Sequence, residues 1–211
     1  MLLKINGNEV WVKLIGTFNA YNLLAIYGTA IELGMESLEA LRLLSELESV
    51  SGRFQYIVSN ANITAIVDYA HTPDALENVL KTVNDIRTKN EQLITVVGCG
   101  GNRDKTKRPV MGGIASDLSD KAIFTSDNPR NEDAEVIISE METGVAPQNY
   151  KRILSITDRK QAIKTACQLA QPNDIILIAG KGHETYQEIN GVRHDFDDMK
   201  IVKELLEQLH K

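Results

Sequence analysis

The chain has 211 residues, of which 43% are hydrophobic and 25% charged, and a formal net charge of −6 at pH 7. This is an ordinary globular composition, long enough for one large or two modest domains and able to bury a core without disulfide or metal staples. The acidic balance argues against a nucleic-acid partner, which needs a basic face, and no apolar run approaches the ~20 residues of a membrane span.

The N-terminus, MLLKINGNEVWVKL, alternates polar and apolar residues, unlike a signal peptide. Residues 2–14 predict a hairpin around Asn6-Gly7-Asn8, because Asn-Gly suits a type I′ turn. Helical spacing of apolar residues follows over 19–33, with Gly34 as the stop, and Ser37 reads as the N-cap of a helix over 38–47. Residues 48–52 are short and polar and are expected to link this small N-terminal part to the rest.

Beyond that point strands and helices alternate. Apolar strands are expected at 63–67, 93–97, 122–125, 153–156 and 175–179, and helices at 73 to about 87, 110–118, 133–143 and 158–169. A hairpin around Asn190-Gly191 and a last helix complete the chain. That alternation predicts an α/β fold with a mostly parallel sheet covered by helices. Cys99 and Cys167 lack the spacing of a zinc site or disulfide framework, which favours a reducing cytoplasm. Cys167 reads as core, and Cys99 falls in a glycine loop.

Four polar stretches each follow a strand directly: DYAHTPD (68–74), GCGGNRDKTKRP (98–109), DNPR (127–130) and GKGHE (180–184). In a parallel sheet they emerge together at the carboxyl ends of the strands, where open α/β folds bind ligands. The glycines of the second stretch let backbone amides approach an anion, and Arg103, Lys105, Lys107 and Arg108 can neutralise it. The same residues also read as a solvated basic loop. In the first stretch, Thr72 and Pro73 are the N-cap and first residue of a helix. Asp68 sits where an acid can accept from ribose hydroxyls, while His71 faces a phosphate or is a satisfied loop histidine. Arg130 offers a planar fork that matches a carboxylate, and Asp127 and Glu184 can accept from an ammonium. Together these loops describe a pocket for a zwitterionic amino acid. The plain alternative is an Asp127–Arg130 ion pair bracing the turn. Neither a G-x-x-x-x-G-K-[ST] phosphate loop nor a G-x-G-x-x-G fingerprint occurs.

The stretches GTFNAYNLLA, SGRFQ, DYAHTPDALE, GGNRDKTKRP, SDNPR and GKGHE, in that order and over nearly the whole chain, resemble the Mur ligases of peptidoglycan synthesis. DNPR is similar to the version found in the branch that adds meso-diaminopimelate; lysine-adding relatives differ at the position of Arg130. The resemblance implies a Rossmann-like domain over 50–211 that brings the incoming amino acid. It also implies that 1–49 are the closing part of a central ATPase domain, with the rest of that domain and the sugar-binding domain lying outside this chain. By motif, Arg103, Asp127, Asn128, Arg130, Gly180 and Glu184 fall in the diaminopimelate pocket. Asn19 and Asn22 fall near the adenine, and Arg53 and Asp68, with His71 nearby, reach the ribose and phosphates. The partners implied are meso-diaminopimelate, ATP with Mg2+, and UDP-MurNAc-L-Ala-D-Glu, joined through an acyl phosphate. The family's phosphate loop and magnesium ligands are not in this sequence, so the chain is expected not to turn over alone. A non-catalytic module that binds an amino acid or a nucleotide is the competing reading. A folate-polyglutamate ligase relative would share the Asp-x-Ala-His-x-Pro element but not DNPR with GGNRDKTKRP.

Overall fold

In the computed structural model, which describes residues 1–88 and 90–211, the first reversal of the chain is made by Asn6 and Gly7. Both have positive φ (48° and 84°), as a type I′ turn demands. The turn joins the antiparallel strands β1 (Leu2–Ile5) and β2 (Asn8–Trp11). Helix α1 (Thr17–Glu32) follows and stops before Gly34, whose φ is 89°. Helix α2 (Ser37–Glu46) departs from expectation at its cap. Glu36, not Ser37, accepts the Glu39 N–H, and the Ser37 hydroxyl bonds the Tyr27 hydroxyl at 2.8 Å. Val10, Val12, Leu23, Tyr27, Leu41 and Leu44 form the core of this unit, which spans Met1–Val50, while Trp11, Tyr21 and Leu33 are exposed.

The second unit, Ser51–Lys211, is built on a six-stranded sheet. Its elements in chain order are β3 (Gln55–Val58), β4 (Thr64–Asp68), α3 (Pro73–Ile86), β5 (Leu93–Val97), α4 (Lys107–Leu118), β6 (Lys121–Phe124), α5 (Ala134–Glu142), β7 (Ile153–Ser155), α6 (Arg159–Leu169), β8 (Ile175–Ala179), β9 (Tyr186–Ile189), β10 (Val192–Asp195) and α7 (Asp198–Gln208). The strand order is β3-β4-β8-β5-β6-β7, parallel except for β3, while β9 and β10 form a separate hairpin. The α/β class with a mostly parallel sheet is therefore the observed one.

Alternate residues of the central strands serve the two faces, as the period of two requires. Val67, Ile94, Val96, Ile123, Ile176 and Ile178 pack with α6 and α7, and their neighbours point to the face where α3, α4 and α5 lie side by side. From β4 to β7 the chain steps outward over that face, then returns through α6 to insert β8 between β4 and β5. Two crossover directions need two faces when every crossover keeps the same hand. The reversal at β8 opens a crevice at the carboxyl edge, and the loops after β4, β8, β5 and β6 all reach it.

Three local differences from the sequence reading have physical causes. Strand β3 was not expected; it is a four-residue, half-exposed edge strand paired antiparallel with β4. Helix α4 starts at Lys107, so Pro109 lies in its first turn, where a missing N–H is harmless. Asp133 and Asp158 cap α5 and α6 from outside, accepting from Glu135 N and Gln161 N at 2.8 Å each.

Candidate functional site

At the carboxyl edge of the sheet lies a cavity of about 620 Å³. Arg103, Asp127, Asn128, Arg130, Gly180 and Glu184 line it together, with His71, Thr72 and Lys107 on the same wall system. Residues far apart in the chain thus meet in one concavity with cationic and anionic sides.

The acidic side is organised by Lys181, which the sequence reading did not single out. Its side chain is fully buried, and Nζ donates to Asn128 Oδ1 at 2.9 Å and to Glu184 Oε2 at 3.2 Å. Asn128 Nδ2 also donates to Glu184 Oε2 at 2.8 Å, and Asp127 Oδ1 stands 3.9 Å from Lys181 Nζ. One cation thus faces two carboxylates, both of which line the cavity. The cluster carries an unmatched negative charge at a surface that a ligand can reach. Gly180 allows this approach: its φ is 116°, and a Cβ there would come within 2.6 Å of Asp127 Oδ2.

The DNPR loop is held by the β9–β10 hairpin. Gln187 Nε2 donates to Asp127 O at 2.7 Å, and the Glu188 N–H donates to Asn128 Oδ1 at 2.9 Å. Arg130 has a φ of 52°, an unfavourable region for arginine, and backbone bonds to Glu188 O (3.0 Å) and from Asn190 N (2.7 Å) fix it there. Its Nη1 donates to Gly101 O at 2.9 Å, and its Nε stands 3.6 Å from Glu188 Oε2. The ion pair of Arg130 is therefore with Glu188, and the Asp127–Arg130 brace considered from sequence is not the one that forms. Gly101 is needed where it is, since a Cβ would fall 1.9 Å from Pro129 O.

The basic stretch divides its charges. Arg103 and Lys107 line the cavity, and Lys107 Nζ donates to His71 O at 2.7 Å. Arg108 does not face a ligand: it is fully buried in α4 and pairs with Glu132 and Glu140. Lys105 also goes to Glu132, at 3.1 Å. Expecting all four as anion-neutralising loop cations fails for these two, because α4 begins early enough to turn Arg108 inward.

His71 Nδ1 bonds the Tyr69 carbonyl at 2.8 Å, so that nitrogen carries the proton and Nε2 is the acceptor of the neutral ring. Asp68 and Arg53 stand apart from the cavity lining. Asp68 Oδ2 accepts the Phe54 N–H at 2.7 Å, and Arg53 stacks on Tyr69 at 4.7 Å. Burial pushes the Asp68 carboxyl above its ordinary range, opposed by the Phe54 and Ala70 backbone donors and by the Arg53 charge. Asn19 and Asn22 belong to the first unit. Asn19 Nδ2 donates to Ile15 O at 2.8 Å, and Asn22 Nδ2 to Asn19 Oδ1 at 3.4 Å. Both cysteines are buried, and burial raises each thiol to about 12.

Among the described residues, no group of three or more His, Cys, Asp or Glu is placed to hold a metal ion. No phosphate loop occurs in the sequence either, so the described residues offer no ligand set for magnesium. The cationic and anionic sides of the cavity suit a zwitterion such as an amino acid. Among the described residues no helix is long and apolar enough to cross a membrane.

Residues 52–182 match the sequence model of the Mur ligase, glutamate ligase domain. A UDP-N-acetylmuramoyl-L-alanyl-D-glutamate–2,6-diaminopimelate ligase of Cytophaga hutchinsonii is 57% identical over 209 residues, covering 99% of this chain and 43% of that protein. The enzyme of that name from Bacteroides thetaiotaomicron is 54% identical, over 97% and 42% respectively. The chain thus spans about two fifths of the length of these curated relatives. A solved structure of a ligase of the same name superposes with a TM-score of 0.73 at 44% identity, covering 97% of this chain and 41% of its own.

Proposed function

The chain belongs to the Mur ligase family, and from that premise we propose that it supplies the amino-acid pocket of an ATP-dependent ligase of peptidoglycan synthesis. The amino acid is meso-diaminopimelate, and its acceptor is UDP-MurNAc-L-Ala-D-Glu. The observation that carries this reading is the single cavity in which Arg103 and Arg130 oppose Asp127 and Glu184. Diaminopimelate has a carboxylate and an ammonium at each end. Arg130 suits the distal carboxylate, which lysine lacks, and the unmatched charge of Asp127 and Glu184 suits an ammonium.

In this reading the pocket holds the zwitterion so that its other amine points at an acyl phosphate formed elsewhere in the whole enzyme. Positioning of that kind can supply several orders of magnitude of effective molarity. Residues 1–49 are then the closing part of the central ATPase domain, and 50–211 form the C-terminal domain. Arg53, Asp68 and His71 are proposed nucleotide contacts supported by motif resemblance, and Asn19 and Asn22 of the first unit are separately proposed as such on the same ground. ATP and Mg2+ are co-substrate and metal of the whole enzyme, and this chain alone is expected not to turn over. The setting is the cytoplasm.

Titrating meso-diaminopimelate and then L-lysine into the isotope-labelled chain tests the proposal. Diaminopimelate is expected to move the backbone amides of residues 127–130 and 180–184 far more than lysine does. Arg130→Ala should weaken diaminopimelate by about 2 kcal/mol or more, the loss of a charged hydrogen-bonded contact. If both ligands move those amides alike, or neither does at millimolar concentration, the assignment fails.

A further inference from the structure

Asn128 and Arg130 sit on a loop whose shape is imposed from outside it. Glu188, on β9, touches that loop three times. Its N–H donates to Asn128 Oδ1 at 2.9 Å, its carbonyl accepts the Arg130 N–H at 3.0 Å, and its carboxylate stands 3.6 Å from Arg130 Nε. The first two contacts are made by backbone and are open to any residue. The third requires an acid.

That third contact matters because of what else shares the cavity. Asp127 and Glu184 both line it with Arg130. Both carry the charge that a guanidinium lining the same cavity would seek, and pairing with either would close the site on itself. Glu188 beside Nε and Gly101 O at Nη1 engage two of the three guanidinium nitrogens and leave Nη2 for a ligand. The hairpin that carries Glu188 lies beyond residue 182, where the match to the shared glutamate ligase domain ends.

We propose that Glu188 is a positioning residue for carboxylate selection: it keeps the Arg130 guanidinium away from the pocket's own acids and turned toward a second carboxylate on the incoming amino acid. The inference rests on the reading of the cavity as a diaminopimelate site.

Its test uses the full 211-residue chain and three variants, Glu188→Gln, Arg130→Ala and the double substitution, each titrated with meso-diaminopimelate and with L-lysine. The Arg130 Nε–H resonance is also read without ligand. Glutamine keeps the side-chain length and both backbone contacts. Glu188→Gln is expected to lower the preference for diaminopimelate over lysine about tenfold, to change lysine binding less than about twofold, and to add nothing once Arg130 is alanine. The ligand-free Nε–H resonance should shift in Glu188→Gln. If the parent chain selects diaminopimelate and Glu188→Gln selects it equally well, this inference falls while the functional reading stands. Equal weakening of both ligands also overturns it, because the loop as a whole would then have been disturbed. A parent chain that shows no selection removes the functional reading and this inference with it.

Discussion

Two buried cations flank the carboxyl end of β8. Arg159 lies at the start of α6 and meets Asp198 at the start of α7 through two bonds of 2.9 and 2.7 Å, both side chains fully buried. Its Nη2 also donates to Ala179 O at 3.1 Å, just before the GKGHE loop. Lys181, two residues further along, is equally buried, but its acids Asp127 and Glu184 open onto the cavity and outnumber it. In one cluster the hydrogen-bonded pair is one to one and sealed, further favoured by an acid at a helix N-terminus, although the Arg159 charge also acts on Asp127 and Glu184. In the other, charge is unmatched and approachable. Burial of an ion pair does not by itself mark a binding site; an excess of one sign with an open side does.

Substitutions at the two cations should separate these roles. Arg159→Met leaves Asp198 buried without a counter-ion and is expected to cost about 3–5 kcal/mol of stability, read as a lowered denaturant midpoint. Molecules that remain folded should lose less diaminopimelate affinity than Lys181→Met does, since Arg159 acts on Asp127 and Glu184 through charge and not through a hydrogen bond. Lys181→Met leaves acids that water can reach, so its cost should be nearer 1–2 kcal/mol, a roughly surface-like value. Binding should respond in the opposite order. Without Lys181, Asn128 loses the charged donor that orients its amide, and diaminopimelate affinity should fall more than about tenfold. If Lys181→Met destabilises as much as Arg159→Met and leaves binding intact, the contrast between a sealed and an open cluster is wrong.

How much of this was legible in the sequence follows from the kind of contact involved. Strands β5 and β8 read to the residue, because LITVV and IILIA are short apolar runs buried on both faces and bounded by polar residues. Together with β4 and β6 they delivered the four loops, and with them Arg103, Asp127, Asn128, Arg130, Gly180 and Glu184 in one cavity. Lys181 was inside a stretch already singled out. A lysine between two glycines at the end of an apolar strand was the available signal, and burial gave it its role. Glu188 left no such trace. Its contact to Asn128 spans 60 residues, and two of its three contacts to the loop are made by backbone, which carries no side-chain signature. Arg108 was misread for a related reason: the helix start that turns it inward depends on packing against Glu132 and Glu140.

Glu132 offers the smallest and sharpest extension of the comparison, an acid with several donors and no place in the cavity lining. It accepts from Arg108 at 3.0 and 3.1 Å, from Lys105 at 3.1 Å, and from the Asn102 N–H at the tip of the glycine-rich loop. The Arg108 guanidinium first, then the Asn102 N–H and Lys105, hold its carboxyl down from the ordinary 4.5 to about 2. The folded pKa lies below the unfolded one, so as pH falls the unfolded chain takes the proton first. Glu132 therefore contributes its full stabilisation above about pH 4.5 and loses it as the pH falls through 2. Glu132→Gln should lower stability at neutral pH and flatten the decline between those two values, and added salt should shrink both effects because the acid is partly exposed. Denaturant melts at half-unit pH steps would measure the two slopes. Equal slopes would mean that Glu132 makes no charge contact specific to the fold, and that the loop bearing Arg103 is held by its other contacts, the Gly101 N–H to Asn128 O bond and the Arg130 Nη1 to Gly101 O bond, each of 2.9 Å.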